Sequence, residues 1–225
     1  MIKVENVSKS FTLNNNKIDI LNNLSVNIKE GEKVAIIGPS GSGKSTLLSI
    51  MSGMDKPDRG KVLLDNNDIV LMSEQQLCKI RNKDIGIIFQ AFELIPSFTA
   101  LENVMLPLDI ADKSDEKKAT ELLNRLGLGA RLDHLPRALS GGEQQRVAIG
   151  RALINQPKVI FADEPTGNLD RQTGNKVLEI LLEQIKQENK TLIIITHDIN
   201  LANKMDRIFA LNDGKLTEVN EQNNL

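Results

Sequence analysis

The chain has 225 residues, of which 40% are hydrophobic and 26% charged. This is the balance of a globular protein rather than of a disordered, collagenous or coiled-coil one, at about one and a half times the ~150 residues of an average domain. With 28 basic against 30 acidic residues and a net charge of -2, no broad cationic field marks a nucleic-acid or anionic-membrane partner, so any affinity for phosphate must come from a local site. Cys78 stands alone, which rules out an intrachain disulfide or a thiolate metal cluster and fits a reducing cytoplasm. Trp and Tyr are absent, which argues against platforms for stacking single-stranded bases. The longest apolar runs, at 34–37, 85–89 and 192–195, fall far short of the roughly 20 residues that span a bilayer. The opening MIKVENVSKSF lacks the apolar core of a signal peptide. Direct membrane insertion is therefore not expected.

In chain order, β-branched segments bounded by Gly, Asn or Asp predict strands at 2–7, 18–28 (interrupted at Asn22-Asn23), 33–37, 61–65 and 85–89. A helix is predicted after Gly43, and a hairpin tip at Asn14–Asn16. From Pro96 to Asn155 the period becomes helical: Leu122, Leu123 and Leu126 share one face, and Val147, Ile149, Leu153 and Ile154 punctuate another. After Pro157 come a strand at 159–162, a helix from about 173 to 187, and strands at 192–196 and 208–211. Residues 220–224 read as a frayed tail. Strand-helix alternation predicts an α/β fold with a parallel sheet covered on both faces, and the helical stretch predicts a separate lobe. No internal repeat is present.

Gly38-Pro39-Ser40-Gly41-Ser42-Gly43-Lys44-Ser45, followed by Thr46, satisfies the phosphate-loop pattern and lies between a predicted strand and a predicted helix, as that pattern requires. Glycines let the backbone curl so that N–H groups face phosphate oxygens, and the helix adds the positive end of its dipole. Lys44 is then placed to reach β- and γ-phosphates, and the Ser45 hydroxyl to ligate magnesium. A Gly-rich turn before a helix is the alternative; the full spacing and the terminal Lys-Ser decide against it.

Val159-Ile160-Phe161-Ala162-Asp163-Glu164 delivers two adjacent carboxylates to the carboxyl end of a buried strand, where open parallel sheets bind ligands. Asp163 would hold magnesium through water, and Glu164 would stand where an attacking water needs a proton acceptor. Read alone, the pair also suits the cap of a following helix. Leu139-Ser140-Gly141-Gly142-Glu143-Gln144-Gln145-Arg146 opens a helix and, by itself, is equally an N-cap with an acid in the first turn.

Together the three segments, which follow one another in the chain as phosphate loop, signature and acidic strand end, resemble those motifs of ABC transporter ATPase subunits, over nearly all of residues 1–219. The resemblance implies a P-loop NTPase (RecA-like) parallel-sheet core at 1–90 and 157–225, an antiparallel β-subdomain, and an inserted α-helical subdomain at about 91–156. It implies roles for Gln90 in a Q-loop that senses magnesium and the membrane partner, for Asp170 of Gly167-Asn168-Leu169-Asp170 in the D-loop, and for His197 as the switch histidine. Phe11 falls where the family places an aromatic, usually Tyr, against adenine. Taken singly, Gln90 also reads as a solvated strand end, Phe11 as core and His197 as a hydrogen-bonded strand-end residue; His134 has no motif and reads as structural. The resemblance further implies that Ser140, Gly141 and Gly142 close over the γ-phosphate held by the opposite subunit, so that two ATP molecules are sandwiched in a homodimer.

Ala162–Asp170 and Thr99–Val104 resemble the branch containing the LolD, MacB, FtsE and YbbA proteins, and residues 127–136 and 171–174 are most like YbbA. That branch implies a separate integral-membrane permease of the FtsX/MacB type, working in lipoprotein, lipid or drug extrusion or as a mechanical transmitter, with this chain held at the cytoplasmic face. A low-turnover regulatory or scaffolding subunit of the FtsE type is the alternative. Gly150 departs from the family, which usually has Ala there, and costs roughly 1 kcal/mol in a helix. Asn203-Lys204-Met205-Asp206 matches a guanine-recognition pattern, but no Asp-x-x-Gly accompanies it and it falls in a predicted helix. A chromosome or DNA-repair ATPase would insert a coiled coil or zinc module between Lys44 and Asp163, and neither is present.

Overall fold

The computed structural model describes residues 1–13 and 16–219; the readings at Asn14, Asn15 and 220–224 lie outside them. In chain order it runs β1 (Ile2–Leu13), β2 (Asn16–Ile28), β3 (Lys33–Ile37), α1 (Lys44–Met51), β4 (Arg59–Leu64), β5 (Asn67–Asp68), α2 (Glu74–Asp84), β6 (Ile85–Ile88), α3 (Ala100–Ile110) and α4 (Glu116–Arg125). It continues with α5 (Gly141–Leu153), β7 (Val159–Asp163), α6 (Arg171–Gln187), β8 (Thr191–Ile195), α7 (Ile199–Ala202), β9 (Arg207–Asn212) and β10 (Lys215–Glu218). Two compact units emerge: Met1–Lys79 with the chain from Thr191 on, and Ile80–Lys190.

The first unit holds an antiparallel sheet in the order β2-β1-β4-β5. Its apolar residues alternate, so Ile2, Val4, Leu24, Val26 and Ile28 are buried while their neighbours face outward, as the two-residue period of a half-buried strand requires. The interruption expected at Asn22-Asn23 does not break β2: the strand runs through, with Asn23 at φ 50° and its N–H bonded to Ser8 Oγ at 3.0 Å. A register shift across Val7/Lys9 absorbs the irregularity, and Asn tolerates the left-handed conformation better than most residues. In the same unit β3 pairs in parallel with β8 and β9, and β10 adds antiparallel to β9. Residues 34–37 of β3 and all of β8 are buried, which is why they read as unbroken apolar runs. Helix α1 buries Leu47, Leu48, Ile50 and Met51.

In the second unit β6 and β7 pair in parallel, Ile85 opposite Val159 and Ile88 opposite Ala162. Helix α5 is its central helix: Val147, Ala148, Ile149, Gly150 and Leu153 are buried, and it packs on α3, α4, α6 and β6. Gly86 permits that last contact, since a Cβ there would lie 2.5 Å from the Ala152 carbonyl oxygen. Helix α3 starts on a capping box of Thr99 and Glu102, a reciprocal pairing that satisfies first-turn N–H groups. The fully buried Asn103 ties the preceding loop by bonding both the N–H (2.8 Å) and the carbonyl (3.2 Å) of Ile95. The segment Asn203–Asp206 is not helical; α7 ends at Ala202.

Candidate functional site

The phosphate-loop residues sit between β3 and α1 in the first unit. Gly43 is the N-cap of α1 with φ 97° and supplies no side-chain cap, whereas α3, α4, α5, α6 and α7 each carry a capping Thr, Asp or Ser. The first N–H groups of α1 therefore depend on another acceptor, and a helix N-terminus following a Gly-rich loop suits an anion. A Cβ on Gly43 would meet Ile20 Cγ2 at 2.7 Å, so the turn admits only glycine without movement. Lys44 Nζ donates to the carbonyls of Gly38 (2.9 Å) and Pro39 (2.8 Å), which holds the ammonium over the loop. Ser42 Oγ is buried without a hydrogen-bond partner among the described residues. A curled backbone, a free helix end, one ammonium and an orphan hydroxyl together fit a phosphate chain.

His197 follows β8 in the same unit and is exposed. The Thr196 N–H donates to the Ile36 carbonyl at 3.2 Å, and Ile195 pairs with Ile36 in register. That parallel pairing brings His197 to the sheet end where β3 enters the loop. The next residue, Asp198, caps α7. Phe11 is 47% exposed and lies opposite Ile18, itself 43% exposed, across the β1–β2 pair. Of the two readings of Phe11, core is excluded by this exposure. Lys9 Nζ stands 5.2 Å from the ring centroid.

Asp163 ends β7 in the second unit and Glu164 follows at φ 44°. A left-handed non-glycine residue immediately before a proline is doubly disfavoured, and such strain costs of order 1–3 kcal/mol and gathers at functional sites. The Glu164 carbonyl accepts from the Gly167 N–H at 2.9 Å. Asp163 and Glu164 do not cap the helix that follows; Asp170 does, accepting from the N–H groups of Gln172 and Thr173, both at 3.1 Å. Bonds to Thr173 hold its carboxyl below the usual range. Gln90 meets the same turn: its Nε2 donates to Asn168 Oδ1 at 3.2 Å, and Asn168 Nδ2 donates to the Gln90 carbonyl at 2.9 Å. Asn168 was not singled out in sequence, although it sits inside the motif that carries Asp170.

Ser140 is the N-cap of α5 with a full capping box, as the capping reading of its segment has it. The Ser140 N–H and hydroxyl donate to Glu143 Oε2 at 2.8 and 2.9 Å, and the Glu143 N–H donates to Ser140 Oγ at 3.3 Å. Arg131 Nε donates to Glu143 Oε1 at 2.7 Å. The Arg131 hydrogen bond, aided by the Ser140 backbone, pulls the Glu143 carboxyl down to about 2. Arg131 lies in the 127–136 segment, but nothing in that segment marks it as the partner of Glu143, which only the fold reveals. Gly142 is buried and packs on α6, where a Cβ would come 2.4 Å from Thr173 Cγ2. Further along α5, the buried Gln145 donates from Nε2 to the Pro165 carbonyl at 2.6 Å, and Arg151 donates to the Phe92 and Glu93 carbonyls.

Comparison with known proteins agrees with these features. The ABC transporter family model matches residues 21–167, more than half of the chain. The lipoprotein-releasing system ATP-binding protein LolD of Legionella pneumophila (strain Paris) is 47% identical over 92% of this chain and 93% of its own length. The uncharacterized ABC transporter ATP-binding protein YbbA of Escherichia coli (strain K12) is 46% identical over 97% of each. Among solved structures, the dimeric post-hydrolysis state of the ATP-binding cassette MJ0796 bound to ADP and Pi matches with TM-score 0.90 and 45% identity, over 97% of this chain and 98% of that one. With its phosphate loop, its strand-end carboxylates and its signature helix, the chain belongs to the ABC transporter family, as an ATP-binding, ATP-hydrolysing subunit.

Proposed function

We propose that the chain hydrolyses ATP in a nucleotide-sandwich homodimer and drives a separate membrane permease. The observation that carries this is the β3–α1 junction: an uncapped helix end behind Gly43 with Lys44 Nζ folded over the loop. In this reading the N–H groups of the loop from Gly38 to Thr46, including those of Ser40 and Gly41 but not of Pro39, which has none, cradle the phosphates, and Lys44 balances their charge. Phe11 stacks on adenine. Glu164 accepts a proton from the attacking water, and His197 orients it. Ser45, Gln90 and, through water, Asp163 would hold magnesium, which supplies charge neutralisation during transfer; hydroxyl, amide and carboxylate oxygens suit that hard cation. Ser140, Gly141 and Gly142, at the N-terminus of α5, close the second subunit's site, with Asp170 at the same interface.

No helix among the described residues is long and apolar enough to cross a membrane. We assign the membrane-crossing partner to a permease of the FtsX/MacB type, with this chain on the cytoplasmic face. The LolD name speaks for lipoprotein release as the transport class. Glu164→Gln tests the chemistry: it is expected to retain ATP and accumulate as a dimer by gel filtration while phosphate release falls to a small residual rate. Wild-type turnover in that variant would overturn the reading.

A further inference from the structure

We infer that Gln145 is a positioning residue for Glu164, an inference that rests on the role of Glu164 proposed above. Gln145 is fully buried on α5 at 0% exposure, on a helix otherwise buried through Val147, Ala148 and Ile149. Its Oε1 has no hydrogen-bond partner among the described residues. A buried amide with an unpaired oxygen is costly, and Leu or Met would fill the same volume without that cost. What distinguishes Gln there is its donor. Nε2 reaches the Pro165 carbonyl at 2.6 Å and, more weakly, the Phe89 carbonyl at 3.5 Å. One carbonyl directly follows Glu164, and the other directly precedes Gln90.

The bond to Pro165 matters because of the backbone it restrains. Glu164 sits at φ 44° ahead of a proline, a conformation that relaxes toward extended geometry unless it is held. The bonds that hold it include Gly167 N–H to the Glu164 carbonyl at 2.9 Å and Gln145 to the Pro165 carbonyl. With both carbonyls engaged, the turn that carries the Glu164 carboxylate keeps one geometry. Gln145 also lies on the helix that Ser140 caps, so α5 mechanically joins the signature residues to the Glu164 turn. Gln145 touches no reacting atom in this scheme and acts through Glu164.

Gln145→Met, which keeps length and bulk but removes the donor, tests the inference. Turnover is expected to fall ~10- to 100-fold with the KM for ATP within about threefold, because a misplacement of about 1 Å at a reacting group costs on that order. In a Glu164→Gln background the same change is expected to alter residual turnover less than about twofold, since coupled residues are non-additive. An equal loss in both backgrounds, a rise in KM alone, or wild-type turnover in Gln145→Met overturns the inference. Wild-type turnover in Glu164→Gln alone overturns the parent reading and this one with it; loss there with full activity in Gln145→Met overturns only this one. If Gln145→Met does not fold, Gln145→Leu replaces it. If neither folds, amide exchange on the wild-type protein decides: a side-chain amide at Gln145 protected about 100-fold or more supports the bond, and an unprotected one overturns it.

Discussion

Replacing Glu143 by Gln isolates the ion pair behind the signature cap. Gln at this position can still accept from the Ser140 N–H, so the capping box survives, while the charge-assisted bond from Arg131 Nε at 2.7 Å is lost. The Glu143 carboxyl is drawn from its ordinary 4.5 to about 2, chiefly by Arg131, which corresponds to roughly 3 kcal/mol of preference for the charged form. The Glu143 side chain is 18% exposed but that of Arg131 is 42% exposed, so solvent screening reduces the recoverable part to about 1 kcal/mol. At about pH 7 the variant should therefore melt ~2–4 °C lower than the wild type. The sign with pH is fixed by the depressed carboxyl: its stabilisation is complete above 4.5 and is lost as pH falls through about 2. Urea unfolding followed by circular dichroism, suited to a chain without Trp or Tyr, should show the gap between wild type and variant narrowing below about pH 4.5. A gap that stays constant with pH, or no gap at neutral pH, would refute the assignment of the stabilisation to this ion pair.

Gly43→Ala should weaken ATP binding by at least about tenfold, since φ 97° and a Cβ 2.7 Å from Ile20 Cγ2 force the loop to move at a strain of order 1–3 kcal/mol; equilibrium dialysis with nucleotide checks it. Gly150→Ala should lower stability by about 1 kcal/mol. Contacts of 3.0 Å to Val104 Cγ2 and 3.1 Å to Leu126 Cδ1, both side chains fully buried and Val stiff about its first torsion, cost ~1–3 kcal/mol in overpacking, which outweighs the helix-propensity gain of roughly 1 kcal/mol; calorimetry decides. Phe11→Ala should weaken ATP about tenfold, at the lower end of the ~1–3 kcal/mol of base stacking, and leave inorganic triphosphate binding unchanged. Equal weakening of both ligands would contradict a role at the base.

Strands with strong apolar runs were legible from sequence: 33–37 coincides with β3, and 159–162 falls one residue short of β7. Helix α2 was not anticipated because Leu77 is its only buried residue, leaving no apolar stripe to read. The short strand β10 was missed for a related reason, since Lys215, Thr217 and Glu218 are exposed. The predicted helix over Asn203–Asp206 failed where Asp198, a strong cap, begins a helix of only four residues. At the candidate site, motif pattern and strand context single out Lys44, Asp163 and Glu164, and the family resemblance adds Ser140 and His197. The partners Arg131, Asn168 and Gln145 were not assigned roles, because an ion pair twelve residues apart or a side chain donating to a distant carbonyl leaves no local pattern.

The composite-site claim is tested most directly by mixing two disabled subunits, one carrying Ser140→Arg and the other Lys44→Ala. Each alone should release no phosphate. An equimolar mixture at concentrations that support dimers should recover about a quarter of wild-type turnover, because half of randomly paired symmetric dimers are mixed and each mixed dimer has one intact site of two. Complete inactivity of every mixture in which gel filtration shows mixed dimers would contradict a site completed by the signature of the opposite subunit.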